Sequence, residues 1–182
     1  MNHDRVLALF YGLWAAVEIV VFARRRAGSR QDRGSHIVLW VLVGGGIFAA
    51  GRLRRWWPMP DRDTLFWLGI ALIFIGIVIR AAAILTLGRY FSVRVTIQEA
   101  HELIQRGLYR WIRHPAYTGL LLSFTGLGFA LGSWLSLAII AITSIIGFGY
   151  RIRVEEQALI GHFGDRYRSY AARTKRLVPG IY

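Results

Sequence analysis

The sequence predicts an all-α integral membrane bundle of about five transmembrane helices, the last two a helical hairpin, followed by a cytoplasmic C-terminal helix. Three observations lead there. Hydrophobic residues make up 55% of the 182 residues and charged residues 18%, which is too apolar for an ordinary soluble domain and far too apolar for disorder. The 23 Lys and Arg exceed the 10 Asp and Glu by 13, yet they alternate with long apolar runs. That distribution belongs to a membrane protein rather than a nucleic-acid binder. The chain contains no cysteine, so disulfides, thiolate metal sites and a cysteine nucleophile are excluded.

The spans follow in order within a single membrane domain, residues 1–182, with three of them in residues 1–87. Residues 6–23 are apolar apart from Glu18 and run directly into Arg24, Arg25 and Arg26. They read as a first span rather than a signal peptide, whose charges would precede the apolar run. Residues 37–50 supply a second run of only 14 residues, about 21 Å of helix, so its flanks must extend it or the bilayer must thin. Residues 65–87 form a third run, interrupted only by Arg80 and long enough to cross with tilt. Residues 117–149 are apolar over two helix lengths and break at Leu131-Gly132-Ser133, which predicts a hairpin.

Five spans place the termini on opposite sides, and the Lys and Arg count sets the orientation. Five arginines in residues 24–36, five in 88–116 and seven basic residues from Arg151 onward put 17 on one side, against five on the other. The N-terminus is therefore expected outside and the C-terminus in the cytoplasm. Glu18 and Arg80 lie within spans at similar depth, and an ion pair between them is the expected arrangement, with a polar lining for a substrate path as the alternative. The hairpin glycines, Gly119, Gly126, Gly128, Gly132, Gly147 and Gly149, are read as helix-packing positions. Gly126-Leu127-Gly128 lacks the preceding strand that a dinucleotide loop requires.

Polar chemistry concentrates in two cytoplasmic stretches. The first runs from Arg94 through Gln98, His101, Glu102, Tyr109, Arg113 and His114 to Pro115 and Tyr117, straight into the hairpin. Proline suits the first turn of a helix, so His114 and Tyr117 should flank a helix mouth at the membrane surface. Open backbone N–H groups there attract a carboxylate or other anion. The second stretch continues the last span, where Arg151 and Glu155 are four residues apart and share a helix face, with Glu156 turned 100° away. Phe163-Gly164 reads as a helix stop, followed by an interfacial helix carrying Tyr167 and Tyr170. No tight ligand spacing such as His-Glu-x-x-His occurs, so no metal is expected.

Together the two stretches resemble the isoprenylcysteine carboxyl methyltransferase family of membrane enzymes. The matching text is His101-Glu102-Leu103-Ile104, Gly107-Leu108-Tyr109, Arg113-His114-Pro115-Ala116-Tyr117-Thr118-Gly119, and Arg151, Glu155, Glu156, Leu159, Phe163, Gly164, Tyr167 and Tyr170 in register, with Pro179 near the end. The resemblance covers residues 88–179 and implies that 88–182 is the cofactor-binding and catalytic half. It implies S-adenosyl-L-methionine as cofactor, held by His101, Glu102, Leu103, Ile104, Tyr109, His114, Pro115, Ala116, Tyr117 and Glu155, with Gln98 as a further contact. Arg151 would face the acceptor, a lipophilic or prenylated carboxylate that enters sideways from the bilayer, with membrane lipids as further partners. Related phospholipid N-methyltransferases and small-thiol methyltransferases share much of the pattern. An amine acceptor would need a base, for which Glu156 or a histidine is the candidate. An NADPH-dependent sterol-type reductase and a non-catalytic lipid-binding protein are the readings from other classes.

Overall fold

The computed structural model describes residues 34–88 and 103–178, together with Arg5, Val6, Leu9 and Gly12 and the backbone of two short strands. Those strands, β1 (Ser29–Arg30) and β2 (Thr96–Ile97), pair antiparallel, with Ser29 opposite Ile97. Two residues are too few to carry a periodic signal, so no strand is expected there. Their pairing sets Ser29–Arg30 beside Thr96–Ile97. Of the predicted span at 6–23, only Val6, Leu9 and Gly12 are among the described residues, and Glu18 lies outside them.

Among the described residues, four long helices make the bundle. Helix α1 (Ser35–Leu53) has 19 residues, so the short second run is extended by its flanks, as anticipated. Helix α2 (Arg62–Leu87) has 26 residues and ends at Gly88, whose φ of 52° and N–H bond to the Ile84 carbonyl close the last turn. Helix α3 (Pro115–Ala130) begins with proline in its first turn. Helix α4 (Trp134–Phe163) starts where Ser133 caps it, its Oγ accepting from the Ser136 N–H at 3.3 Å. At 30 residues α4 is about 45 Å long, longer than a hydrocarbon core of about 30 Å. Its last turns, from Arg151 on, therefore extend past the apolar zone. Gly164, with φ 54°, stops it, and α5 (Asp165–Arg173) turns back. Helices α1, α2 and α4 are each long and apolar enough to cross a membrane.

Packing pairs α2 with α3 and α1 with α4, and joins the pairs through α3 and α4. The α2–α3 contact is backbone on backbone. Gly69 meets Gly126 and Gly76 meets Gly119, seven residues apart on both helices, and a Cβ on Gly119 or Gly126 would sit 2.5 Å from the facing glycine's carbonyl oxygen. In lipid this closeness replaces the hydrophobic drive that water would supply. Phe66, Ile70 and Ile73 of α2, Phe124 and Leu127 of α3, and Phe148 of α4 fill the space between. At one end, Ser133 Oγ donates to the Trp56 carbonyl at 2.6 Å and Trp134 N–H to that of Trp57 at 3.0 Å, which ties the α1–α2 loop to the hairpin turn. The polar site lies at the other end.

Candidate active site

The site is built where α3 begins. A short 3-10 helix, Gly107–Arg110, packs Tyr109 against Ala83 of α2 and Ala116 of α3. The chain then passes through Trp111 and Arg113 to His114, the residue before the proline. Pro115 has no N–H to lose, so the helix starts here without an unsatisfied donor at that position. One turn brings Tyr117 alongside: its ring stacks on the His114 imidazole, with centroids 5.5 Å apart and planes 19° from parallel, and its other side meets Phe148 of α4 at 5.3 Å. Arg80 of α2, buried, donates from Nη1 to the Ala116 carbonyl at 3.5 Å, so the intramembrane arginine reaches this same helix mouth.

The extended end of α4 supplies the facing wall. Arg151 and Glu155, one turn apart, both bond the Tyr117 hydroxyl: Arg151 Nε donates to it at 3.2 Å, and it donates to Glu155 Oε2 at 2.6 Å. Arg151 Nη1 donates to Ser35 Oγ at 2.5 Å, at the start of α1. Arg151 is 1% exposed, whereas the Glu155 side chain is 29% exposed. One carboxylate thus faces accessible space while the cation beside it is fixed inside the bundle. His114 Nδ1 stands 3.9 Å from Glu155 Oε1.

Glu156 points the other way, towards two arginines and the His114 ring. Arg113 Nε donates to its Oε1 at 2.9 Å, His114 Nε2 lies 3.4 Å from the same oxygen, and Arg176 Nε donates to Oε2 at 3.1 Å. Arg113 Nη1 also donates to the carbonyls of Ala171, at 2.8 Å, and Thr174. The segment after α5 runs parallel to the elbow. Arg113 N–H donates to the Lys175 carbonyl at 2.7 Å, His114 N–H to that of Arg176 at 3.0 Å, and Thr118 Oγ1 to that of Leu177 at 2.7 Å. Tyr170 fastens α5 by donating to the Tyr109 carbonyl at 2.7 Å. Burial pushes the Tyr170 phenol up to about 12. Burial, then the charges of Glu156 and Glu155, raises Tyr167, and burial followed by the Glu155 charge raises Tyr109. These phenols stay neutral across the ordinary pH range.

Of the residues singled out in the sequence, Tyr109, His114, Pro115, Ala116, Tyr117, Arg151, Glu155 and Glu156 converge at this helix mouth. Leu103 and Ile104 are half-buried in the approach to the 3-10 turn. Gln98, His101 and Glu102 lie outside the described residues. Sequence reasoning did not single out Ser35, Arg113 and Arg176. Arg113 stood within the quoted motif, but its distance from Glu156 in sequence hid the pairing, and nothing marks Ser35 beforehand. Among the described residues no three His, Asp or Glu side chains gather as a metal site.

The profile of the isoprenylcysteine carboxyl methyltransferase family matches residues 67–161, from the first turns of α2 to near the end of α4. The chain belongs to this family. Protein-S-isoprenylcysteine O-methyltransferase B of Arabidopsis thaliana is 32% identical over 137 residues, covering 74% of this chain and 66% of the relative. A probable protein-S-isoprenylcysteine O-methyltransferase of Oryza sativa subsp. indica is 35% identical over 117 residues, 63% of this chain and 61% of that one. A solved structure of the eukaryotic intramembrane Ras methyltransferase of this family superposes with a TM-score of 0.62 at 27% identity, over 82% of this chain and 53% of that chain. The chain thus spans just under two thirds of those plant relatives and about half of the solved one. The all-helical membrane architecture is that of the isoprenylcysteine carboxyl methyltransferase family. The matched region holds every converging residue except Ser35 and Arg176.

Proposed function

We propose that the protein is an S-adenosylmethionine-dependent methyltransferase that methylates the carboxylate of a prenylcysteine-like lipid at the cytoplasmic membrane face. One observation carries this reading: the Tyr117 hydroxyl joins Arg151, a cation suited to a carboxylate acceptor, to Glu155, an anion suited to a cationic donor. The family relatives, named for methyl transfer to isoprenylcysteine, support it.

The residues fit the donor. When bound, S-adenosylmethionine supplies an electrophilic methyl group on a positively charged sulfonium. Glu155 offers a partly exposed carboxylate to a cationic group, and Tyr117 and Tyr109 offer aromatic surface. Arg151 has its plane set by Tyr117 and Ser35, so its guanidinium holds an acceptor carboxylate in one orientation. Its burial supports entry of the acceptor between helices from the bilayer, while the exposure of Glu155 supports entry of the donor from water. A carboxylate is already ionised near neutral pH and needs no base, so these residues align the reactants and exclude water. That suits Glu156, whose oxygens are taken up by Arg113, Arg176 and His114, better than the base that an amine acceptor demands.

Arg151→Ala should abolish methylation of a prenylcysteine analogue while sparing donor binding, and Glu155→Ala should weaken donor binding. Equal loss of both activities in Arg151→Ala would overturn the assignment, as would unchanged donor affinity in Glu155→Ala. The orientation, C-terminus in the cytoplasm, is tested by reporter fusions in residues 24–36. A reporter active on the outer side would reverse it.

A further inference from the structure

We propose that Glu156, Arg113 and Arg176 are positioning residues: a clamp that docks the C-terminal strap, residues 174–178, onto the elbow and so holds the donor-binding face of His114 and Tyr117 in place. This rests on the reading of the site as a methyl-donor site.

Leu177 packs the strap against the core, but its position is set by hydrogen bonds. It is fastened by backbone bonds from Arg113 and His114 to Lys175 and Arg176, by Thr118 Oγ1 to Leu177, and by Lys175 N–H to the Trp111 carbonyl at 3.1 Å. Every one of these partners lies on the elbow or in the first turn of α3, so any shift of the strap is felt by His114 and Tyr117 directly. Glu156 supplies the charge that locks the arrangement. Its Oε1 takes Arg113 of the elbow and its Oε2 takes Arg176 of the strap, at 2.9 Å and 3.0 Å in the shortest contacts. The Arg113 and Glu156 side chains are 10% and 11% exposed, so their bond is shielded, whereas the Arg176 side chain is 37% exposed and its bond to Glu156 is partly screened.

The consequence for the site runs through His114. Its side chain is 3% exposed and stands between the adjacent glutamates, with Nε2 towards Glu156 and Nδ1 towards Glu155. A proton on Nε2 is the one Glu156 can accept, and that contact fixes the ring plane on which Tyr117 stacks. The second of two neighbouring glutamates thus sets the geometry that the first uses. Arg113 extends the clamp by donating to the carbonyls of Ala171 and Thr174 at the end of α5, which joins that helix to the same hub.

The test uses the full chain in lipid nanodiscs. Binding of S-adenosylhomocysteine is measured by calorimetry, and the turnover rate at saturating S-adenosylmethionine is measured with a prenylcysteine analogue. Arg176→Ala should raise the dissociation constant about threefold, the scale of one partly screened ion pair. Its turnover at saturating donor should stay within about twofold, and Arg176→Lys should restore most of the affinity. Glu156→Gln should weaken binding in the same way. Should that variant fail to fold, Arg176→Ala, on the more exposed partner, still decides. Unchanged affinity in Arg176→Ala would overturn the proposal, as would a fall in turnover at saturating donor with affinity intact, because the clamp would then act in stability or chemistry. If the unaltered protein binds no S-adenosylhomocysteine, the donor-site reading itself fails, an outcome distinct from a clamp that leaves binding untouched.

Discussion

Tyr117→Phe removes one oxygen and keeps the ring, so the stacking on His114 and the contact with Phe148 persist while both hydroxyl bonds vanish. The bond from Arg151 Nε is 3.2 Å long and ends on a side chain that is 1% exposed. Water cannot readily replace it, and a lost bond to a buried charge costs about 1.5 kcal/mol or more. The bond to Glu155 Oε2, at 2.6 Å, ends on a side chain 29% exposed. Solvent compensates most of that loss, leaving about 0.5 kcal/mol. The sum, about 2 kcal/mol, corresponds to roughly a thirtyfold fall in kcat/KM for the acceptor. Initial rates with radiolabelled S-adenosylmethionine and a prenylcysteine analogue measure it. A fall of less than about threefold would refute the reasoning, because Arg151 would then keep its orientation without the hydroxyl.

Ser35→Ala deletes the acceptor of Arg151 Nη1 at a fully buried position. The same assay should show kcat/KM for the acceptor down about tenfold with donor affinity unchanged. Gly119→Val forces a Cβ to 2.5 Å from the Gly76 carbonyl oxygen and 2.8 Å from Arg80 N. It should lower the thermal unfolding midpoint in detergent by an amount matching about 3 kcal/mol, whereas Gly44→Ala, with open space around its Cβ, should leave the midpoint unchanged. The raised Tyr170 phenol stabilises the fold while protonated. Its contribution is complete below pH 10 and is lost as pH climbs through about 12. Tyr170→Phe should therefore start from a lower midpoint but lose less of it over that alkaline window than the unaltered protein does.

The hairpin break at Leu131-Gly132-Ser133, the proline start of α3 and the stop at Gly164 were all legible because each depends on local chemistry: a conformation that glycine permits, a donor that proline lacks. The shared face of Arg151 and Glu155 was legible for the same reason, being fixed by helical periodicity alone. Glycine density predicted close packing. It could not tell that Gly69 and Gly76 would meet Gly126 and Gly119, since that register is a property of two helices. Ser35 was invisible, because its role exists only once α1 lies along α4. The opposed duties of Glu155 and Glu156 were half legible: adjacent residues on a helix must face different directions, but which one meets guanidinium groups depends on where α5 and the strap return.

These contacts divide the site between parts of the chain with different histories of constraint in the fold. In the proposed reading the donor side is held by α3 and the end of α4, which follow each other through one tight turn, and α3 is pinned to α2 by glycine contacts too close to slide. The acceptor cation is steadied instead by α1, through Ser35, and α1 packs on α4 with larger side chains, Leu39 and Val43 lying against Gly147. A change in α1 can therefore shift or reorient Arg151 while the backbone that forms the donor side stays where it is. The donor is common to many acceptors and demands a rigid seat. Acceptors differ in length and head group, so α1, which precedes the matched residues 67–161 and whose side chains can repack, is where a difference in acceptor would be written.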